Sequence, residues 1–268
     1  MNVEVLGSAL AAPRRPTALR IAPASQLRLI VALGWQELAA YLVLFTAACA
    51  YVAAQVHGNP VHSFADRQLG LHFLTLLFAA CWPLVVWRDQ SLRQRADFEA
   101  LPVGRYQAIA LRVGAGNVVL LAAWVAANSV AFLIGVVIGR VGEFASVSGF
   151  AWLACALGAS IVYLLGSAIA VACDTPGRWI LGLLAVVYAP PLMMTLPESL
   201  TFALRPGPRW IYDGVLGFDR ATRYAVTEAQ LDTRLAEFTL GHWLPAALFW
   251  FGVAVALVAL ASRRRLDL

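Results

Sequence analysis

The sequence predicts an all-α polytopic membrane protein. Six transmembrane helices are preceded by an N-terminal amphipathic helix. A short helix lies in the loop between spans 2 and 3, and a helical extracytoplasmic segment lies between spans 5 and 6. Three observations carry this. The chain is 61% hydrophobic and 13% charged, with a mean hydropathy of +0.74, whereas soluble domains carry about 25% charged residues. Six apolar runs each have the roughly 20 residues needed to cross the hydrocarbon. The polar stretches between them differ in charge in the alternating way that a fixed membrane orientation requires.

Composition also excludes chemistry. All 20 basic residues are Arg. Without Lys the chain has no phosphate-binding P-loop and no Schiff-base nucleophile, so any ATP used is hydrolysed by another chain. Cys49, Cys81, Cys155 and Cys173 fall in or beside apolar runs without metal-ligand spacing and read as small buried residues. His57, His62, His72 and His242 are scattered and suggest no metal site. No nucleic-acid partner is expected.

Residues 1–24, with Arg14, Arg15, Arg20 and several prolines, lack apolar periodicity and read as a cytoplasmic arm. From Ser25 to Leu38, an apolar face of Leu27, Ile30, Val31, Trp35 and Leu38 opposes Arg28 and Gln36. This predicts an amphipathic helix in the membrane interface, with Trp35 at headgroup depth. The run is too long for a signal peptide. A single transmembrane domain over 25–262 follows, with spans at Leu38–Val56, Leu69–Trp87, Val113–Ile138, Phe150–Ala172, Trp179–Leu196 and Trp243–Ser262, and a basic tail at 263–268.

The loop 88–112 has an internal plan. Asp89 or Ser91 can cap a helix start. Leu92, Ala96 and Ala100 recur at helical spacing beside Phe98 and Leu101. Pro102 stops the helix because the residue before proline is pushed out of the α region. Val103 and Gly104 turn the chain, and Arg105 starts the next helix.

The run Glu99-Ala100-Leu101-Pro102-Val103-Gly104-Arg105 resembles the Glu-x-Leu-Pro-Val-Ser-Arg run of ABC-2 type transporter permeases, with Gly104 where Ser or Thr is usual. In that family this loop forms the coupling helix that docks on the ATPase subunit. The resemblance implies an elbow helix before the first span, which the 25–38 stretch supplies; Glu37-Leu38 is similar to the family's common Glu-Leu pair, without the basic residues that usually follow. It implies Arg95, Phe98, Glu99, Leu101, Pro102 and Arg105 as ATPase-coupling residues. It also implies ABC ATPase subunits as partners, ATP and Mg held by them and no cofactor in this chain, and a second permease copy or homologue as a dimer. A periplasmic or extracellular partner is compatible with the plan.

Six spans place both termini on one side. With the N-terminus, the second-to-third loop, the fourth-to-fifth loop and the C-terminus on the cytoplasmic side, the inner segments hold 13 Arg against 7 acids and the outer ones 7 Arg against 8. The positive-inside rule supports that orientation, in a bacterial inner membrane. The outer segment 197–242 is too long for a bare connection. Within it, Thr227-Glu228-Ala229-Gln230 fits a capping box. Leu231, Leu235 and Phe238 form a stripe, a candidate extracytoplasmic gate, and Gly241 reads as the helix stop.

Polar side chains inside spans are costly and face the bundle interior. Asn117, Trp124 and Asn128 in span 3, and Ser160, Tyr163 and Ser167 in span 4, are candidates to line a substrate pathway; interhelical hydrogen bonding is the competing explanation. Gly135 and Gly139 form a small-residue pattern for close helix contact. Pro190-Pro191 should break span 5. Glu37, Arg112, Asp174 and Arg178 at the inner span ends read as snorkelling anchors. Span interiors hold no Asp, Glu, Arg or Lys, which argues against an intramembrane enzyme. The expected function is a permease subunit of an ABC exporter. The rival is a membrane scaffold or sensor subunit, recognisable by a partner without nucleotide-binding motifs.

Overall fold

The computed structural model describes residues 23–57, 63–88, 105–145, 147, 149–194, 218, 221, 222 and 240–266. Among these residues the regular structure is helical: α1 (Pro23–His57), α2 (Phe64–Gly70), α3 (His72–Val86), α4 (Arg105–Val137), a short 3-10 helix (Val141–Ala145), α5 (Gly149–Ala172), α6 (Pro176–Met194) and α7 (Leu240–Leu266). The helices α1, α4, α5 and α7 are long and apolar enough to cross a membrane, and the chain is a multi-pass membrane protein. The expected coupling helix (Arg95, Phe98, Glu99, Leu101, Pro102) and the expected gate helix (Leu231, Leu235, Phe238) lie outside the described residues.

Several expectations change. The amphipathic stretch 25–38 and the first span form one continuous helix of 35 residues. At 1.5 Å per residue it is about 52 Å long and overshoots a ~30 Å hydrocarbon layer. Nothing between Ser25 and His57 breaks it, since proline is missing from that stretch. The second span is divided at Leu71, where 3-10-type bonds replace α-helical ones: Leu71 N–H donates to Gln68 O and Leu74 N–H to Leu71 O. This leaves α3 as a largely apolar helix of 15 residues. In contrast, α6 continues through Pro190 and Pro191 to Met194, so the expected break is not there. Gly241 is no stop either, because α7 begins at Leu240 and runs on through it.

The glycine pair at the end of α4 serves this chain's own packing. Gly139 has φ +72°, Arg140 N–H donates to Gly135 O and Gly139 N–H to Val136 O. These are the two bonds of a Schellman cap, which needs a left-handed residue where glycine carries no Cβ penalty. Gly135 lies against the Phe144 ring.

The helix α5 is the centre of the bundle. In its most apolar stretch 78% of residues are buried, against 17–33% for α1, α4 and α7. The main core gathers Leu76, Trp82, Val86, Val113, Leu120, Ile161, Tyr163 and Trp243 around it. A second cluster joins α1 to α4 through Tyr41, Phe45, Cys49, Ala123 and Ala127. Tyr41 stacks on Phe78 with centroids 4.5 Å apart, and Phe78 sits 5.2 Å from Trp82.

Each end of the bundle is tied by a charge. At one end Arg112, expected to snorkel, is instead 3% exposed. Its Nε and Nη2 donate to Val86 O at 2.8 and 2.6 Å, and its guanidinium lies 5.2 Å from the Trp87 ring centre. A cation there satisfies a carbonyl left orphaned at the α3 terminus and complements its dipole. At the other end Glu143 accepts from Ser63 Oγ and from the N–H groups of Phe64 and Ala65 that open α2, and from Arg140 at 2.7 Å. A carboxylate at a helix N-terminus is favourable for the converse reason. Burial pushes the Glu143 carboxyl up, but the hydrogen bonds from Arg140, Phe64, Ala65 and Ser63 outweigh it and hold it below the ordinary carboxylate value.

Candidate functional site: a buried polar cluster

Polar side chains meet where α2 gives way to α3. Gln68, His72 and Thr75 follow one another at four- and three-residue spacing, so they fall on one face. All three are buried. Gln68 Nε2 donates to Asn128 Oδ1 of α4 at 2.8 Å, and Asn128 Nδ2 donates to Trp124 O one turn back at 2.8 Å. Thr75 shares a hydrogen bond of 2.9 Å with Tyr41 of α1. Burial of polar groups is tolerable only with such partners.

A further component comes from between α6 and α7. Phe218, Ala221 and Thr222, from the stretch between α6 and α7 expected to lie outside the membrane, are at most 4% exposed, and Phe218 and Ala221 belong to the core. Phe218 packs edge-on against Trp250 of α7, 4.9 Å between centroids. His72 Nε2 lies 3.2 Å from Thr222 O. A carbonyl can only accept, so Nε2 is the protonated nitrogen in that bond. The Thr222 backbone presses on α5 at Gly158, where an added Cβ would stand 2.6 Å from Thr222 O.

Beside this contact is a void of about 10 Å³ lined by Gln68, His72, Thr75, Trp124, Asn128 and Cys155, among others. That is room for one water and no more. Gln68 Oε1 is buried without a hydrogen-bond partner. The arrangement is a buried polar cluster held by hydrogen bonds. No group of three His, Cys, Asp or Glu that could hold a metal occurs among the described residues.

The expected lining residues divide. Asn128 and Trp124 belong to the cluster, and Trp124 packs edge-on against Trp152 at 6.3 Å. Asn117 sits partly buried with its Oδ1 unpartnered. Ser160, Tyr163 and Ser167 are buried in α5. Tyr163 Oη donates to Val113 O at 3.0 Å, which ties α5 to α4. Of the expected coupling residues, Arg105 opens α4. The sequence reading missed Tyr41, Gln68, His72, Thr75 and Thr222. The spacing of Gln68, His72 and Thr75 was available as a signal; the arrival of Thr222 was not, because it is a contact across 150 residues. No protein-family model, characterised protein or solved structure matches this chain.

Proposed function

We propose that this chain is the transmembrane subunit of an ABC-2 type transporter, an exporter of a bacterial inner membrane with six crossings and both termini in the cytoplasm. ATP and Mg are handled by a separate ATPase chain, and a second permease copy or homologue completes the pathway. The observation that carries this reading is the Glu99–Arg105 run in the basic loop 88–112. Two features of the bundle support it. The loop leaves α3 and enters α4 at the end where Arg112 clamps the α3 terminus and Glu37 pairs with Arg88 at 3.1 Å, so a push on the loop acts on a tied pair of helices. The buried polar cluster, with Thr222 seated in it, is on this reading a point on the pathway that turnover would open.

On this reading ATP binding closes the ATPases. The coupling residues Arg95, Phe98, Glu99, Leu101, Pro102 and Arg105 pass that motion to α3 and α4, and contacts at the His72–Thr222 level separate. The test is Leu101→Asp in the full chain co-expressed with its ATPase. A charge at an apolar docking position resists desolvation by several kcal/mol. ATPase co-purification and transport should be lost while membrane insertion is kept. Retention of both sinks the coupling assignment. A co-purifying partner that lacks nucleotide-binding motifs favours the scaffold class instead.

A further inference from the structure

The ends of α3 and α4 that border the loop 88–104 are joined twice, in opposite directions. Trp82 Nε1 of α3 donates to Gly116 O of α4 at 3.0 Å. One turn nearer the loop, Arg112 of α4 donates through Nε and Nη2 to Val86 O of α3 at 2.8 and 2.6 Å. The paired positions are four residues apart on each helix and run in reverse order, so the two bonds close a frame between antiparallel neighbours. Both acceptors are main-chain carbonyls, which cannot rotate aside as a side chain can. A slide of either helix by one residue, about 1.5 Å, stretches both bonds at once beyond hydrogen-bond length.

The neighbouring helices confine the donors. Trp82 and Val86 are fully buried and Arg112 is nearly so. An added Cβ on Gly34 of α1 would fall on the Trp82 ring, and one on Gly116 would fall on the Tyr163 phenol of α5. Tyr163 Oη also donates to Val113 O, the carbonyl next to Arg112, at 3.0 Å. On its other side the Arg112 guanidinium lies 5.2 Å from the centre of the Trp87 ring.

We infer that this frame makes the loop-side halves of α3 and α4 one moving body, and that Arg112 is its positioning residue, acting through Val86 O. Its part in coupling rests on the permease reading above. A displacement of the loop then carries α3 and α4 together instead of prising them apart.

Pulsed electron spin resonance distances on the full-length chain in nanodiscs test this. Labels go on Leu77→Cys of α3 and Val118→Cys of α4, both exposed positions. Cys81 and Cys173 are replaced by alanine; Cys49 and Cys155 are buried. The parent should give a single narrow distribution. Arg112→Met should widen it by about 3 Å, a slide of one residue either way. Arg112→Lys keeps a charged donor for Val86 O and should restore most of the narrowness. Trp82→Phe keeps a ring, removes the other donor and should also widen the distribution, which keeps the inference open to refutation where Arg112→Met does not fold. A parent, Arg112→Met and Trp82→Phe of equal width overturn the inference. In the complex with the ATPase, the Leu77–Val118 distance should differ by less than about 1.5 Å between nucleotide-free and vanadate-trapped states, while the distance from Leu77 to a label at Leu248 of α7 changes. A larger Leu77–Val118 change overturns the single body. Failure of any ATPase to co-purify with the parent overturns the permease reading instead, and the widths in the chain alone then decide the frame.

Discussion

Gly158→Ala sets two calculable effects against each other. Alanine in a helix interior is favoured over glycine by about 1 kcal/mol, so a substitution in open space stabilises. At Gly158 the new Cβ would stand 2.6 Å from Thr222 O, 3.0 Å from its Cα and 3.1 Å from its carbonyl carbon. Ordinary contact begins near 3.4 Å, and all three obstacles are backbone, which cannot rotate away. The Thr222 peptide must retreat by about 0.8 Å, and its hydrogen bond to His72, already 3.2 Å long, goes with it. Overpacking costs about 1–3 kcal/mol and the hydrogen bond about 0.5–1.5 kcal/mol, so the net is a loss of about 1–3 kcal/mol despite the better helix former. Gly114→Ala and Gly252→Ala are the controls, since nothing lies within 4 Å of either added Cβ. In detergent melting the controls should match or exceed the parent, and Gly158→Ala should fall several degrees below it. A Gly158→Ala protein that melts with the controls would show that Thr222 is not seated on α5.

Three further outcomes are expected. Arg112→Met should cost about 1.5–3 kcal/mol, the worth of hydrogen bonds from a charged group, seen as a lowered melting midpoint; a midpoint equal to the parent's would mean that Val86 O needs no guanidinium. Asn128→Leu strands Gln68 Nε2 in a buried site and should cost about 1–3 kcal/mol, while the double variant with Gln68→Leu should recover part of the loss; a double mutant that loses the sum of the two singles would deny the pairing. Glu143 has a folded-state carboxyl value depressed below its unfolded one, so its stabilisation is complete above the unfolded value and disappears as pH falls through the folded one. The melting difference between parent and Glu143→Gln should therefore be present at pH 7 and shrink as the pH is taken below about 4; a difference that is the same at both would remove Glu143 from the α2 cap.

Much of the architecture is local and was readable from the chain. Apolar runs of the right length mark α4, α5 and α7, because burial of a helix in lipid depends on its own residues. The Lys-free composition excludes a P-loop by chemistry alone, and Asn128 reads as an inward polar residue because a polar side chain facing lipid is costly. Tertiary contact decided the rest. Arg112 at a helix end is, by sequence, as suited to snorkelling as to capping; only the approach of Val86 O settles which. Gly135, by its spacing from Gly139, marks close contact but not the partner, which proved to be Phe144; Gly158 stands in no such pattern, and it meets the Thr222 backbone. Thr222 itself lies in a stretch that composition assigns to the outside. Its place beside His72, 150 residues away, follows from how the helices enclose it, because a hydrogen bond to a main-chain carbonyl leaves no residue preference in the sequence to be read.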